Sequence, residues 1–130
     1  MKQLFSLFGL LAWAVLAAHA EPPPTSGQAS WYGESHRGKL MANGKPFNPD
    51  SLTAASWFYP LGTKVRVTLR EQASPLRSQP QPTVIVTITD RGPAKRLVRN
   101  GRIIDLSHAA FKTLASPDLG LVQVEVQPAL

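Results

Sequence analysis

The chain has 130 residues and a formal net charge of +6, with 14 Lys and Arg against 8 Asp and Glu. This length is enough for one ordinary domain and too short for two. Because the chain contains no cysteine, disulfide scaffolds, thiol nucleophiles and a lipid-modified N-terminal cysteine are all excluded. Its 12 prolines favour loops and rigid turns over long helices.

The first twenty residues have the features of a secretory signal peptide. Lys2 supplies a positive charge, an apolar stretch runs over 4–17, and Ala18-His19-Ala20 is a small-residue cleavage pattern. A membrane anchor is the alternative, but the apolar run is short for a bilayer span and ends in that pattern. We therefore predict cleavage after Ala20, export across the inner membrane to the periplasm or cell envelope, and no stable membrane anchor.

The exported chain is basic. Removal of residues 1–20 leaves 13 basic against 8 acidic side chains, a net charge of +5. This balance suits an anionic polymer such as a cell-wall glycan, a wall acid or a membrane surface, and nucleic acid is not expected as a partner outside the cytoplasm. Simple solubility is the alternative explanation, and the charge by itself does not choose between them.

The exported chain begins with a spacer and then a single domain. Residues 21–26 are Pro-rich and are predicted to be an extended or disordered spacer before a domain over 27–127. A short strand is predicted from Gln28 to Tyr32. Residues 33–52 are dense in Gly, Pro and Asn turn signals, which predicts an ordered functional loop.

Three later segments alternate apolar and polar residues with a period of two, at 64–70, 83–89 and 121–127. This pattern, with its β-branched residues, predicts half-buried strands. Residues 71–82 are polar with three prolines and are predicted to form an exposed loop.

One helix is predicted near the C-terminus. Ser107 is a good N-cap, Ala110, Phe111 and Leu114 fall on one helical face, and Pro117 closes the helix. Several short strands with one short helix are typical of a small β-barrel.

The strand pattern of 83–89 ends abruptly in a carboxylate. Asp90 is followed at once by Arg91, Gly92 and Pro93. Such a turn is commonly structural, with the Asp accepting backbone N–H groups, but a strand end is also a way to hold a catalytic carboxylate rigidly. The basic neighbours favour an ionised carboxylate, whereas acid catalysis needs a protonated one.

Six short motifs occur in a fixed order: GQASWYG, ANGK, LTAAS, PLGTKVRV, VTITDRGP and RIIDLSHAAFKTL. Together they resemble the rare lipoprotein A (RlpA) family over roughly residues 27–127. The resemblance implies a mostly β fold, a six-stranded double-psi β-barrel with one or two short helices. It also implies a lytic transglycosylase that cleaves the bond between MurNAc and GlcNAc in peptidoglycan, leaves a 1,6-anhydro-MurNAc end, and uses no cofactor. Family members are associated with glycan strands that lack stem peptides.

The resemblance also implies site residues. The Asp of the family's DRGP motif is a catalytic candidate, and that position is Asp90 here. The family usually has Glu where this chain has Lys45, and His where it has Ser56. The predicted substrate-binding residues are Asn43, Lys45, Ser56, Tyr32 and Arg91.

Two functions stay open on this basis. The first is a lytic transglycosylase with Asp90 as acid and base, favoured by the intact motif framework. The second is a non-catalytic or expansin-like barrel that binds peptidoglycan, favoured by Lys45 and Ser56. The chain stops about where the barrel should end, so the septum-targeting repeat domain of many relatives is not expected.

The remaining polar residues carry weaker predictions. The exported part has two His and no Cys, so no metal site is predicted. Glu34 and Asp50 flank the long loop and are minor candidates for a second acid. Asp105 is predicted to be a structural acid near the helix start.

Overall fold

The computed structural model describes residues 24–70 and 80–129. The predicted signal peptide, the first residues of the spacer and most of the predicted 71–82 loop lie outside the described residues. The described strands are β1 (Thr25–Tyr32), β2 (Thr53–Ala55), β3 (Lys64–Leu69), β4 (Thr83–Asp90), β5 (Arg102–Ser107) and β6 (Val122–Pro128). The helices are α1 (Lys95–Arg99) and α2 (His108–Leu114), with single 3-10 turns at Glu34–His36 and Pro117–Leu119.

The six strands close into a barrel in the order β1-β5-β2-β4-β3-β6. The pairs β1–β5 and β2–β4 are parallel, and the other four pairs are antiparallel. Side chains fill the interior of a barrel this small, and the fully buried ones are mostly branched aliphatics such as Val65, Val86, Ile88 and Leu106. The predicted six-stranded, mostly β fold is confirmed.

The three strands predicted from alternation correspond to β3, β4 and β6. In β3, Val65, Val67 and Leu69 are buried and alternate with more exposed residues, as a period of two requires. β1 begins earlier than predicted, because Thr25 and Ser26 pair with β6. These two residues therefore belong to the barrel and not to the spacer.

The sequence patterns did not locate three of the elements, β2, β5 and α1. β2 has three residues, too few for a periodic pattern. β5 contains Ile103 and Ile104, both buried, so its apolar run does not alternate. α1 has five residues and no buried side chain, which leaves no apolar face to detect.

The predicted helix is present as α2. The Ser107 hydroxyl accepts a hydrogen bond from Ala110 N at 3.3 Å, which is the N-cap geometry. Ala110, Phe111 and Leu114 are its buried residues. The helix ends at Leu114, and a separate 3-10 turn begins at Pro117.

The long 33–52 loop is held by its own contacts. Met41 and Phe47 are buried, and the Arg37 guanidinium contacts Glu34 at 2.6 Å and Asp50 at 3.0 Å. Glu34 and Asp50 therefore both form ion pairs with Arg37 within the loop, and their side chains are far more exposed than those of the two aspartates in the candidate site. The loop is ordered and passes over the end of β4, where the candidate site lies.

Candidate functional site

One row of side chains runs across four strands of the barrel. Ser30 of β1 pairs with Asp105 of β5, Asp105 pairs with Ala55 of β2, and Ala55 pairs with Asp90 of β4. Adjacent strands lie about 4.8 Å apart, so the two aspartates are separated by a single alanine-bearing strand. The row places two carboxylates on the same patch of barrel wall.

An irregularity in β4 brings Asp90 into this row. Along β2, Ala54 pairs with Ile88 of β4, but the next residue, Ala55, pairs with Asp90. Thr89 is therefore an extra residue in β4 that has no partner of its own in β2. Side chains of a regular strand alternate between faces, and Asp90 would then share the inward face of Ile88. The extra residue reverses that assignment, as strand irregularities beside functional sites commonly do.

Asp90 is held as a hydrogen-bond acceptor. Its Oδ1 accepts bonds from Ala42 N at 2.9 Å and from Arg91 N at 2.8 Å, and its backbone oxygen accepts one from Ser56 N at 3.1 Å. The carboxylate oxygen is an acceptor for both backbone donors. The long loop and the following turn thus fix the orientation of the Asp90 side chain.

Asp105 has a different environment. Burial raises the pKa of its carboxyl group, and the negative charge of Asp90 raises it further. A hydrogen bond donated by the Ser30 hydroxyl to Oδ1 and the charges of Arg102 and His36 lower the pKa in part. A carboxyl group whose pKa is raised is suited to donate a proton, and the Asp90 carboxylate beside it is held in place by backbone donors.

Tyr32 lies beside the two aspartates. Its ring packs on Phe47 with centroids 4.3 Å apart and against the edge of the His36 ring. Its hydroxyl is buried and has no hydrogen-bond partner among residues 24–70 and 80–129. Burial, and then the charges of Asp90 and Asp105, raise the pKa of the phenol above its ordinary value. The hydroxyl therefore stays protonated and is an unused donor.

These groups share a cavity of about 290 Å³, called here the acid cavity. Arg91 also contributes to its wall, with Nη1 donating to the backbone oxygens of Ser56 at 2.9 Å and Tyr59 at 2.6 Å. The cavity is lined by Ser30, Trp31, Tyr32, His36, Ala55, Asp90, Arg91, Arg102 and Asp105.

The structure separates the other predicted site residues from the acid cavity. Asn43 and Lys45 line a second, larger cavity of about 620 Å³, called here the lysine cavity. Ser56 is only 1% exposed, and its hydroxyl accepts a bond from Phe58 N at 3.0 Å. Ser56 therefore supports the turn after β2, and we assign no substrate contact to it.

Asp105 was predicted to be a structural acid near the helix start. It lies in β5, shortly before α2, and its side chain also lines the acid cavity with Asp90, a placement that the sequence did not predict. The available signal was a single acid between the buried apolar residues Ile104 and Leu106. Acids are seldom placed in such apolar runs without a partner, so this Asp is a candidate site residue.

Within residues 24–70 and 80–129, no group of three or more His, Cys, Asp or Glu side chains is placed to hold a metal ion. Over the same residues, the helices are all too short or too polar to cross a bilayer.

The closed six-stranded barrel with two parallel strand pairs is that of a double-psi β-barrel, and a cavity on its wall carries carboxyl groups that can serve acid–base chemistry. A family model described as "Lytic transglycolase" matches residues 24–126. The chain belongs to this lytic transglycolase family.

Named relatives agree with this assignment. The chain is 41% identical over 99 residues to "Probable endolytic peptidoglycan transglycosylase RlpA" of Synechocystis sp., covering 75% of this chain and 27% of the relative. It is 34% identical over 102 residues to "Endolytic peptidoglycan transglycosylase RlpA" of Vibrio cholerae, covering 78% and 34% respectively. The chain thus spans about a third or less of the length of these curated relatives.

Solved structures support the fold. The Streptomyces papain inhibitor has a TM-score of 0.59 at 24% identity, covering 85% of this chain and 97% of the inhibitor. The expansin of Clavibacter michiganensis has a TM-score of 0.57 at 22% identity, covering 82% of this chain and 50% of the expansin. At these identities the likeness concerns the barrel alone.

Proposed function

We propose that this protein is an endolytic peptidoglycan lytic transglycosylase of the cell envelope. It cleaves the bond between MurNAc and GlcNAc in glycan strands that lack stem peptides, and it leaves 1,6-anhydro-MurNAc ends. The observation that carries the proposal is that Asp90 and Asp105 are both strand partners of Ala55 and line one cavity. The family membership and the names of the relatives support the choice of peptidoglycan as substrate.

Asp105 is the proton donor in this proposal. The carboxyl group whose pKa is raised keeps its proton at a higher pH than an ordinary Asp, which a general acid requires. Asp105 protonates the glycosidic oxygen, the bond from that oxygen to MurNAc C1 breaks, and the GlcNAc side leaves as an alcohol.

Asp90 is the second catalytic residue. As a fixed carboxylate it stabilises positive charge that develops at C1. The C6 hydroxyl of the same MurNAc attacks C1 to form the anhydro ring, and its proton passes to Asp90. Exchange with solvent returns Asp90 and Asp105 to their starting states, and the reaction consumes no water.

Tyr32 and Arg91 complete the proposed site. The Tyr32 hydroxyl is buried near both carboxylates and has no partner among the described residues, and it is the proposed hydrogen-bond donor to a sugar oxygen. Arg91 lines the same cavity while anchored on two backbone oxygens, so it offers a rigid surface for the glycan.

Digestion of a defined glycan tests this function. Residues 21–130 are incubated with peptidoglycan strands freed of stem peptides, and mass spectrometry detects 1,6-anhydro-MurNAc ends. We expect such ends from the native sequence, and a loss of about 100-fold or more from Asp105→Asn and from Asp90→Asn. Asp118→Asn is the matched control, since Asp118 is an exposed acid in the 3-10 turn at Pro117–Leu119.

The proposed lytic transglycosylase activity is contradicted by products that lack an anhydro ring. It is also contradicted if the protein still co-sediments with the glycan but gives no products. The second of these results indicates the alternative, a binding barrel of the expansin type. Lys45 and Ser56, which stand where the resembling family usually has Glu and His, favour that alternative.

A further inference from the structure

The lysine cavity is a second concavity in the described part of the chain, and the proposed reaction does not use it. Its wall contains Thr53 of β2 and Thr87 and Thr89 of β4, with Leu61 and Pro46 on the rim. Apolar surface beside hydroxyl groups is the mixture that a sugar ring needs, because sugars present C–H faces and hydroxyl edges.

The two cavities lie side by side on one face of the sheet. Thr53 lines the lysine cavity and Ala55 lines the acid cavity. Residues two apart in a strand point to the same face and lie roughly 7 Å apart. A glycan whose scissile bond occupies the acid cavity therefore has its next residue within reach of the lysine cavity.

A polar atom in the lysine cavity lacks a partner. The Thr53 hydroxyl is buried and makes no hydrogen bond within residues 24–70 and 80–129. Buried polar atoms are nearly always paired, but this one lies below the cavity surface and adds polarity to the wall without contacting a ligand. The Asn43 side-chain oxygen is already engaged by Lys45 N at 3.0 Å, which shapes the turn that carries Lys45.

The cavity has one sign of charge. Among the described residues that line it, Lys45 alone is ionisable. The ion pairs found in the described part of the chain involve Arg37 and Arg70 and leave Lys45 out. An ammonium group on a cavity wall without a carboxylate partner favours an anionic ligand.

We infer that the lysine cavity is a second saccharide subsite and that Lys45 binds the lactyl carboxylate of a MurNAc unit that carries no stem peptide. In such a unit the lactyl group ends in a free carboxylate, whereas a stem peptide converts that group into an amide. Lys45 then acts as a specificity residue that distinguishes bare strands from peptide-bearing ones. This inference rests on the proposed function for the identity of the glycan.

A binding measurement with matched ligands tests the inference without catalysis. One ligand is a peptide-free glycan oligosaccharide with free lactyl carboxylates, and the other is the same oligosaccharide after the carboxylates are coupled to methylamine. Isothermal titration of residues 21–130 gives the ratio of the two dissociation constants. The variant is Lys45→Met, and the matched control is Lys112→Met, which removes an exposed charge from α2.

We expect the native protein to bind the acid form about fivefold more tightly than the amide form. Lys45→Met should bring that ratio close to one, Lys112→Met should leave it unchanged, and Lys45→Glu should reverse it. An unchanged ratio in Lys45→Met overturns the inference, as does failure of the native protein to prefer the acid form or an equal effect of Lys112→Met. A failure of the proposed function appears separately, as absence of anhydro ends in the digestion.

Discussion

Asp90 and Asp105 stand on either side of Ala55 in one row across β4, β2 and β5. The three residues come from three separate stretches of the chain, and the small Ala55 side chain leaves the two carboxylates open to the same cavity. Burial raises the pKa of the Asp105 carboxyl group, and the negative charge of the nearby Asp90 raises it further.

Replacement of Asp105 by Asn is expected to stabilise the fold at neutral pH. The pKa of Asp105 is higher in the folded state, so the folded protein binds this proton more tightly than the unfolded chain does. The free energy of unfolding therefore falls as pH rises from the ordinary Asp range through the raised pKa. Asn removes that loss, and thermal unfolding at neutral pH should give a higher Tm for Asp105→Asn than for the native protein.

The same comparison at low pH supplies its control. Below the ordinary Asp range both states are protonated, and the advantage of Asp105→Asn should vanish. Asp118→Asn, at an exposed position, should change stability by less than about 0.5 kcal/mol. A Tm advantage of Asp105→Asn that does not change with pH would show that charge is not its cause.

The pH dependence of glycan cleavage should have a descending limb set by Asp105. Only the protonated acid can donate a proton to the glycosidic oxygen, so the rate falls as pH rises through the raised pKa of Asp105. Initial rates of anhydro-end formation across the pH range measure this limb. A rate that increases steadily over the same range contradicts Asp105 as the acid.

Replacement of Tyr32 by Phe should separate stability from activity. The ring contact with Phe47 is retained, and only a buried hydroxyl without a partner in the described residues is removed. Such a group costs free energy in the folded state, so the Tm should stay the same or rise. The cleavage rate should fall about three- to tenfold, the value of one hydrogen bond.

Tyr59→Phe provides a comparison for that result. The Tyr59 hydroxyl donates to Val126 O at 3.2 Å, so its removal should lower the Tm and leave cleavage nearly unchanged. If Tyr32→Phe behaves like Tyr59→Phe, the Tyr32 hydroxyl has a structural role and no part in the reaction.

Arg91 should be sensitive even to a change that keeps its charge. One guanidinium nitrogen donates to Ser56 O and Tyr59 O, and a lysine reproduces this geometry poorly. Arg91→Lys should lower the free energy of unfolding by about 1–3 kcal/mol, measured by urea denaturation. Arg96→Lys, at an exposed position of α1, should have no measurable effect, and equal midpoints for the two variants would exclude the anchoring role.

The sequence allowed prediction of those parts of the molecule that obey a simple period. β3, β4 and β6 alternate because one face is buried, and α2 has both a cap and an apolar face. The six-stranded barrel followed from the resemblance of six motifs and is confirmed by the strand order. Neither β2, with three residues, nor β5, with consecutive buried isoleucines, carries such a period.

The candidate site was harder to predict from the sequence, because it depends on the register between strands. Asp90 was predicted to be catalytic from the resemblance of its DRGP motif, at the end of a predicted strand, and this role stays a prediction. Asp105 could not be placed, since its relation to Asp90 exists only after β2 inserts between β4 and β5. The burial of Ser56 likewise results from the turn around Arg91, which no local pattern indicates.

The extra residue Thr89 makes the outward position of Asp90 a property of strand pairing. If the alternation of 83–89 continued regularly to Asp90, its side chain would face the aliphatic interior beside Ile88. One step of register between β2 and β4 therefore decides whether this carboxylate reaches the acid cavity. A substitution that abolishes the pairing of Ala55 with Asp90 would remove the carboxylate from the cavity while leaving Asp90 itself unchanged.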